Sequence, residues 1–122
     1  MGTFEELEVY QRATVFRRKI SAIAKRLPVE EKFRLRDQII RSSRSVTAQI
    51  AEGHGRYHYQ ENIRFCRISR GSLDETHDHL TVALEEGYID ETEYSQLIAE
   101  KALIMKMLNG YIRYLRKSKR GE

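Results

Sequence analysis

The sequence predicts an all-α fold, an antiparallel up-down-up-down four-helix bundle, and three observations predict it. Apolar residues recur every three or four positions through long stretches of the chain, the spacing of one helix face. The breaks between these stretches are short and fall at Pro28, at Gly53-His54-Gly55 and at Gly87. Composition agrees: 40% hydrophobic and 33% charged residues, one proline and no tryptophan suit amphipathic helices around one core. Short connections make successive helices antiparallel neighbours.

The first helix is expected from a capping box at Thr3-Phe4-Glu5-Glu6 to about Arg26. Its buried stripe is Val9, Ala13, Phe16, Ile20, Ile23 and Leu27. Arg12, Lys19 and Arg26 repeat every seven residues on another face, with Arg18 and Lys25 beside them. Such a row is a solvated face or an anion-binding one. Pro28 ends this helix or opens the next, because its missing N–H is tolerated only near a helix start.

The second helix, about Val29 to Glu52, is the one around which the chain is organised. Leu35, Ile39, Ser43, Val46 and Ile50 form a narrow apolar or small face. Arg34 and Arg41 lie two turns apart, Arg44 follows, and the three make a candidate anion-binding row. The cluster Ser42-Ser43-x-Ser45 has poor helix propensity, which close approach of a neighbouring helix would compensate. Ser43 belongs to the packed row; Ser42 and Ser45 fit either packing or a phosphate contact. The helix halts at Gly53-His54-Gly55-Arg56, where two glycines permit positive φ and a tight reversal. The turn lacks the Gly-Lys-Ser/Thr ending of a phosphate-binding loop and the flanking strands of a dinucleotide site. Around it His54, Arg56, Tyr57, His58 and Tyr59 mix cations with aromatics, a combination that stacks on bases and pairs with phosphates or simply covers the bundle end.

The third helix is expected from about Gln60 to Glu86, with Cys66, Ser69, Leu73, Thr76, Leu80 and Ala83 as its seam. Gly71, between Ser69 and Ser72, marks an expected close approach of two helix backbones. Arg64, Arg67 and Arg70 form another basic edge. Asp74, His77 and Asp78 could converge, but no second helix supplies a matching Glu-x-x-His, so neither a metal site nor a cofactor is expected. A Ser72–His77 hydrolase lacks an oxyanion hole and a third partner. The fourth helix opens at a second capping box, Asp90-Glu91-Thr92-Glu93. Its apolar residues form three heptad rows: Leu97, Ile104 and Tyr111; Tyr94, Leu108 and Leu115, interrupted by Lys101; and Ile98, Met105 and Ile112. So wide an arc can serve both a core and a subunit interface.

The 122 residues suit a single domain, 1–122, with a basic C-terminal tail from about 116. No apolar run approaches the roughly 20 residues of a membrane span, and no leader is visible, so the cytoplasm is the expected compartment. Cys66 is the sole cysteine, which excludes an intrachain disulfide. The formal charge of +4 is modest, but its distribution is polarised. Arg113, Arg116, Lys117, Lys119 and Arg120 crowd the end of the chain, whereas Glu85, Glu86, Asp90, Glu91 and Glu93 crowd the turn before the fourth helix. Basic patches of this kind attract nucleic acid or an acidic protein surface.

The block Gln38-Ile39-Ile40-Arg41-Ser42-Ser43, then Ser45-Val46 and Ile50-Ala51-Glu52-Gly53, resembles the bacterial four-helix-bundle family of large-subunit ribosomal RNA intervening-sequence proteins, relatives of the accessory variability proteins of diversity-generating retroelements. Weaker matches are Leu7-x-Val9-Tyr10-Gln11, Pro28 before Glu31, Gly71-Ser72-Leu73-Asp74-Glu75 and Met107-Leu108, so the resemblance covers nearly the whole chain. Ser69 departs from it where alanine is common. The resemblance implies a five-fold ring with a central channel, an RNA context and, in the retroelement branch, a reverse transcriptase as partner. The expected function is non-enzymatic binding of nucleic acid, structured RNA before DNA, by a homopentamer. The candidate residues are Arg34, Arg41 and Arg44, extended by Arg12, Lys19, Arg56, Arg113, Arg116 and Lys117. The alternative is an adaptor that docks an acidic partner protein.

Overall fold

The computed structural model describes residues 2–119, so Arg120 of the basic terminus lies outside the described residues. Four helices carry the fold: α1 (Glu8–Arg26), α2 (Leu35–His54), α3 (Tyr59–Glu85) and α4 (Glu91–Lys119). Two 3-10 turns, Phe4–Glu6 and Val29–Glu31, precede α1 and α2, and there is no strand among the described residues. Each helix packs on its sequence neighbours, and α1 closes the bundle against α4. Partners run in opposite directions along every pair: Ser42, Ser45 and Val46 of α2 meet Thr76, Ser72 and Ser69 of α3, and Lys19 and Arg26 of α1 meet Glu100 and Glu93 of α4.

The expected stripes form the core. All six residues of the α1 stripe, all five of the α2 face and all six of the α3 seam are buried. On α4, Leu97, Ile104, Leu108, Ile112 and Leu115 are buried, while Tyr94, Ile98, Met105 and Tyr111 pack half-buried at its margins. Lys101 interrupts its heptad row for a polar reason: its ammonium contacts Asp74 Oδ1 at 2.7 Å and His77 Nδ1 at 3.2 Å. His77 Nε2 in turn meets the Tyr94 hydroxyl at 3.2 Å. Cys66 is fully buried, and burial pushes its thiol up to about 11, so it stays protonated and unreactive at neutral pH.

The α2–α3 seam is joined by hydroxyls. Ser42 and Thr76 share a hydrogen bond of 2.8 Å, Ser72 Oγ donates to Ser45 Oγ at 2.8 Å, and Ser69 Oγ donates to the Val46 carbonyl at 2.8 Å. Small side chains let the helices approach, and each hydroxyl is satisfied inside the seam. Ser42 and Ser45 are therefore packing residues, with their oxygens turned to α3. The close approach lies here and at Gly53, beside Asn62 and Phe65, and not at Gly71, whose α-carbon faces open space.

Helix ends differ from the sequence expectations at four places. The second helix starts at Leu35 rather than about Val29, because Val29–Glu31 forms a separate 3-10 turn after Pro28. Thr3 makes no side-chain cap; the segment forms a 3-10 turn, and α1 starts after Leu7. Gly53 and Gly55 do not reverse the chain with positive φ: α2 continues to His54, and Gly55 is right-handed at φ −77°. Positive φ occurs at Gly87 (76°), where the Tyr88 amide donates to the Ala83 carbonyl and the Gly87 amide to that of Leu84, a Schellman ending for α3. The second capping box is half formed. Asp90 Oδ1 accepts from the Glu93 amide at 2.8 Å, but the Glu93 carboxylate is engaged by Arg26.

Arg36 closes the other end of α1. Its Nε donates to the Ala24 carbonyl at 2.9 Å, and Nη2 reaches those of Leu27 and Lys25 at 3.2 and 3.4 Å. A cation over the last carbonyls opposes the negative end of the helix dipole. Arg36→Met retains the aliphatic stem and removes these bonds, so urea unfolding should show a loss of about 1 kcal/mol.

Candidate nucleic-acid interface

The cationic residues divide into groups by what faces them. On the α1–α4 seam, Lys19 Nζ pairs with Glu100 at 2.8 Å, and Arg26 forms a two-pronged pair with Glu93 at 2.6 and 3.0 Å. Arg12 borders a shallow cleft there with Glu8 and Glu100. Two of the three residues in the α1 heptad row, Lys19 and Arg26, are thus answered by carboxylates from α4, distant in sequence.

The α1–α2 side is different. Here a cleft of about 460 Å³ runs between the two helices. Arg17, Arg18 and Arg44 line it, together with Ser21, Ser43 and Thr47, and it has no carboxylate in its wall. Among the described residues none of the three arginines, nor the exposed Arg41 one turn from Arg44, makes an ion pair. Arg17 is held in place: its Nη1 donates to Thr47 Oγ1 at 2.8 Å, and the Thr47 hydroxyl donates to the Arg44 carbonyl at 3.1 Å. Phe4 and Tyr10 close the end of the cleft near the start of α1, their rings edge-on at 4.9 Å. Arg34 stands apart, exposed at the residue before α2.

A third group lies at the bundle end where α2 stops and α3 starts, the end that α4 reaches last. Arg56 and Arg64 both stack on Phe65, at 4.9 and 4.8 Å, and Arg56 also approaches Glu52 at 3.3 Å. Tyr57 is 89% exposed and meets His58 edge-on. On α4, Tyr111 stacks on Tyr114, and Arg113, Arg116 and Lys117 are exposed in the final turns. The acidic turn before α4 sits at the opposite end, so the charge polarity of the sequence becomes polarity along the bundle axis.

Of the nine candidate residues, Arg44 alone lines the α1–α2 cleft, Arg41 is exposed one turn away on α2, the bundle end gathers Arg56, Arg113, Arg116 and Lys117, Arg12 and Lys19 fall on the α4 seam, and Arg34 stands apart before α2. The sequence reading missed Arg17. It lies on the α1 face toward α2, and its spacing from Tyr10, seven residues, was the available signal. Among the described residues no group of three or more His, Cys, Asp or Glu could hold a metal ion, and no helix is long and apolar enough to cross a membrane.

Residues 5–110 match the model of the 23S rRNA-intervening sequence protein family. The chain belongs to that family. The match spans α1, α2, α3 and most of α4, and so includes every cleft-lining residue except Phe4. This intervening-sequence family member is also similar to a solved structure, a protein with unknown function from the S23 ribosomal protein family of Bacteroides thetaiotaomicron VPI-5482. The two share 27% identity with a TM-score of 0.78, over 85% of this chain and 97% of the other. No curated protein matches the chain.

Proposed function

We propose that this intervening-sequence family member binds RNA without catalysing a reaction, and that Arg17, Arg18 and Arg44 of the α1–α2 cleft, with the exposed Arg41 one turn from Arg44, make the primary contact. The observation that carries the reading is the absence of any carboxylate from a cleft lined by three arginines. On the α1–α4 seam Lys19 and Arg26 are paired with acids; here the field is left open to an anion. The family's association with ribosomal RNA insertions favours RNA over DNA. The cationic, aromatic bundle end with Arg56, Arg113, Arg116 and Lys117 extends the same surface, and Arg34 extends it along α2.

Gel shifts on structured RNA and on DNA of equal length test this. With about four phosphates neutralised, the logarithm of RNA affinity should fall with the logarithm of salt at a slope of about −3 to −4. Failure to bind either nucleic acid at low salt sinks the reading. A pull-down after nuclease treatment tests the adaptor alternative: a protein partner that survives, such as the reverse transcriptase implied by the resemblance, is held by protein contact.

The same reading includes a cyclic homo-oligomer, a pentamer by resemblance. The exposed apolar side chains Leu103 and Tyr114 of α4, with Val15 of α1, support it, since they suit burial against another copy. Light scattering at micromolar concentration should give about five times the chain mass of 14.4 kDa; a monomer refutes the ring.

A further inference from the structure

We propose that the α1–α2 cleft is a subsite for one unpaired nucleotide of the bound RNA, with the phosphate on the arginines and the base against the aromatic end. The inference rests on the RNA-binding reading and adds to it a base-dependent contact. The cleft's volume, about 460 Å³, falls in the range of small-ligand pockets. Its chemistry is divided along its length. The antiparallel helices set Phe4 and Tyr10 at the end near Ala51, and Arg17, Arg18 and Arg44 in the middle. A nucleotide has the same division, an anionic phosphate joined to a flat apolar ring.

The site is also built before the ligand arrives. Thr47 accepts one N–H of Arg17 and fixes that guanidinium, leaving its other donors for a phosphate fork. The two aromatic rings brace each other at 4.9 Å with planes 69° apart, so the wall is rigid. The exposed Ala48 on the rim of the cleft leaves the entrance open. A base inside a duplex has both faces stacked and cannot enter; an extruded or single-stranded base can.

The test compares the full chain with an Ala48→Phe variant on two probes: a single-stranded RNA of about ten nucleotides, and the same RNA with its central positions abasic. Ala48 is exposed, so the variant should keep its helical circular dichroism. The wild type should bind the abasic RNA about tenfold more weakly than the intact one. Ala48→Phe, with the cleft filled, should bind both alike, at the abasic level and with an unchanged salt slope. Equal affinity of the wild type for both RNAs overturns the subsite while leaving the RNA-binding reading standing. Binding of neither RNA removes both. Equal affinity in the wild type needs no mutation, so the subsite stays refutable even if the variant misfolds, while the variant separates the cleft from the aromatic bundle end.

Discussion

The double substitution Arg41→Glu, Arg44→Glu should abolish RNA binding while leaving helicity and oligomer size intact. Both side chains are exposed on α2, and neither makes an ion pair among the described residues, so the fold loses nothing when they change. The charge of α2 shifts by four, and the carboxylate at position 44 joins the wall of a cleft that had none. Repulsion then replaces counterion release, with a loss of affinity on the order of a hundredfold or more at low salt. Gel shift measures the loss; circular dichroism and light scattering check the fold. Undiminished affinity would move the binding surface elsewhere, with Arg113, Arg116 and Lys117 at the bundle end the next to reverse.

The same substitution at two glycines should have opposite effects on stability. A β-carbon at Gly53 would lie 2.7 Å from Asn62 Oδ1, 2.9 Å from Phe65 Cβ and 3.1 Å from the Asn62 carbonyl oxygen. Two of these are atoms fixed to the α3 backbone, which a side-chain rotation cannot remove. Gly53→Ala therefore forces α2 and α3 apart and should destabilise the fold by about 1–3 kcal/mol, after any gain in helix propensity. At Gly71 nothing lies within 4 Å of the added carbon. Gly71→Ala should stabilise by up to about 1 kcal/mol, since it removes only unfolded-state freedom. Urea melts of both variants give the comparison; a neutral Gly53→Ala would mean that the start of α3 yields to the added methyl group.

These glycines also mark the limit of what the sequence carried. Periodicity located all four helices and their buried stripes, because burial of a helix face is a local pattern of three and four residues. It could not tell which small residue is squeezed. Gly71 has serines around it in sequence, but those serines, not the glycine, face α2. Gly53 resembled a turn residue because Gly55 follows it, yet Asn62 and Phe65 across the turn set its role. The candidate interface was legible in the same partial way. Arg41 and Arg44 stood out on α2, whereas Lys19 could not be separated from them before Glu100 was placed beside it. Arg17 was hidden because its importance comes from Thr47, thirty residues on. Thr3 and Glu93 show the reverse: a capping pattern is only a local option, and Glu93 takes Arg26 instead of closing its own box.

The hydroxyl-laced joint between α2 and α3 implies an order in which the bundle comes undone. That joint is buried and has hydrogen bonds that must all break together. The α1–α4 joint packs more sparsely and is bridged by two solvent-facing ion pairs that salt weakens. The middle helices are therefore a hinge and the outer two its covers. Amide exchange should be slowest along the α2–α3 spine, and the outer helices should swing away first, at a cost below that of global unfolding.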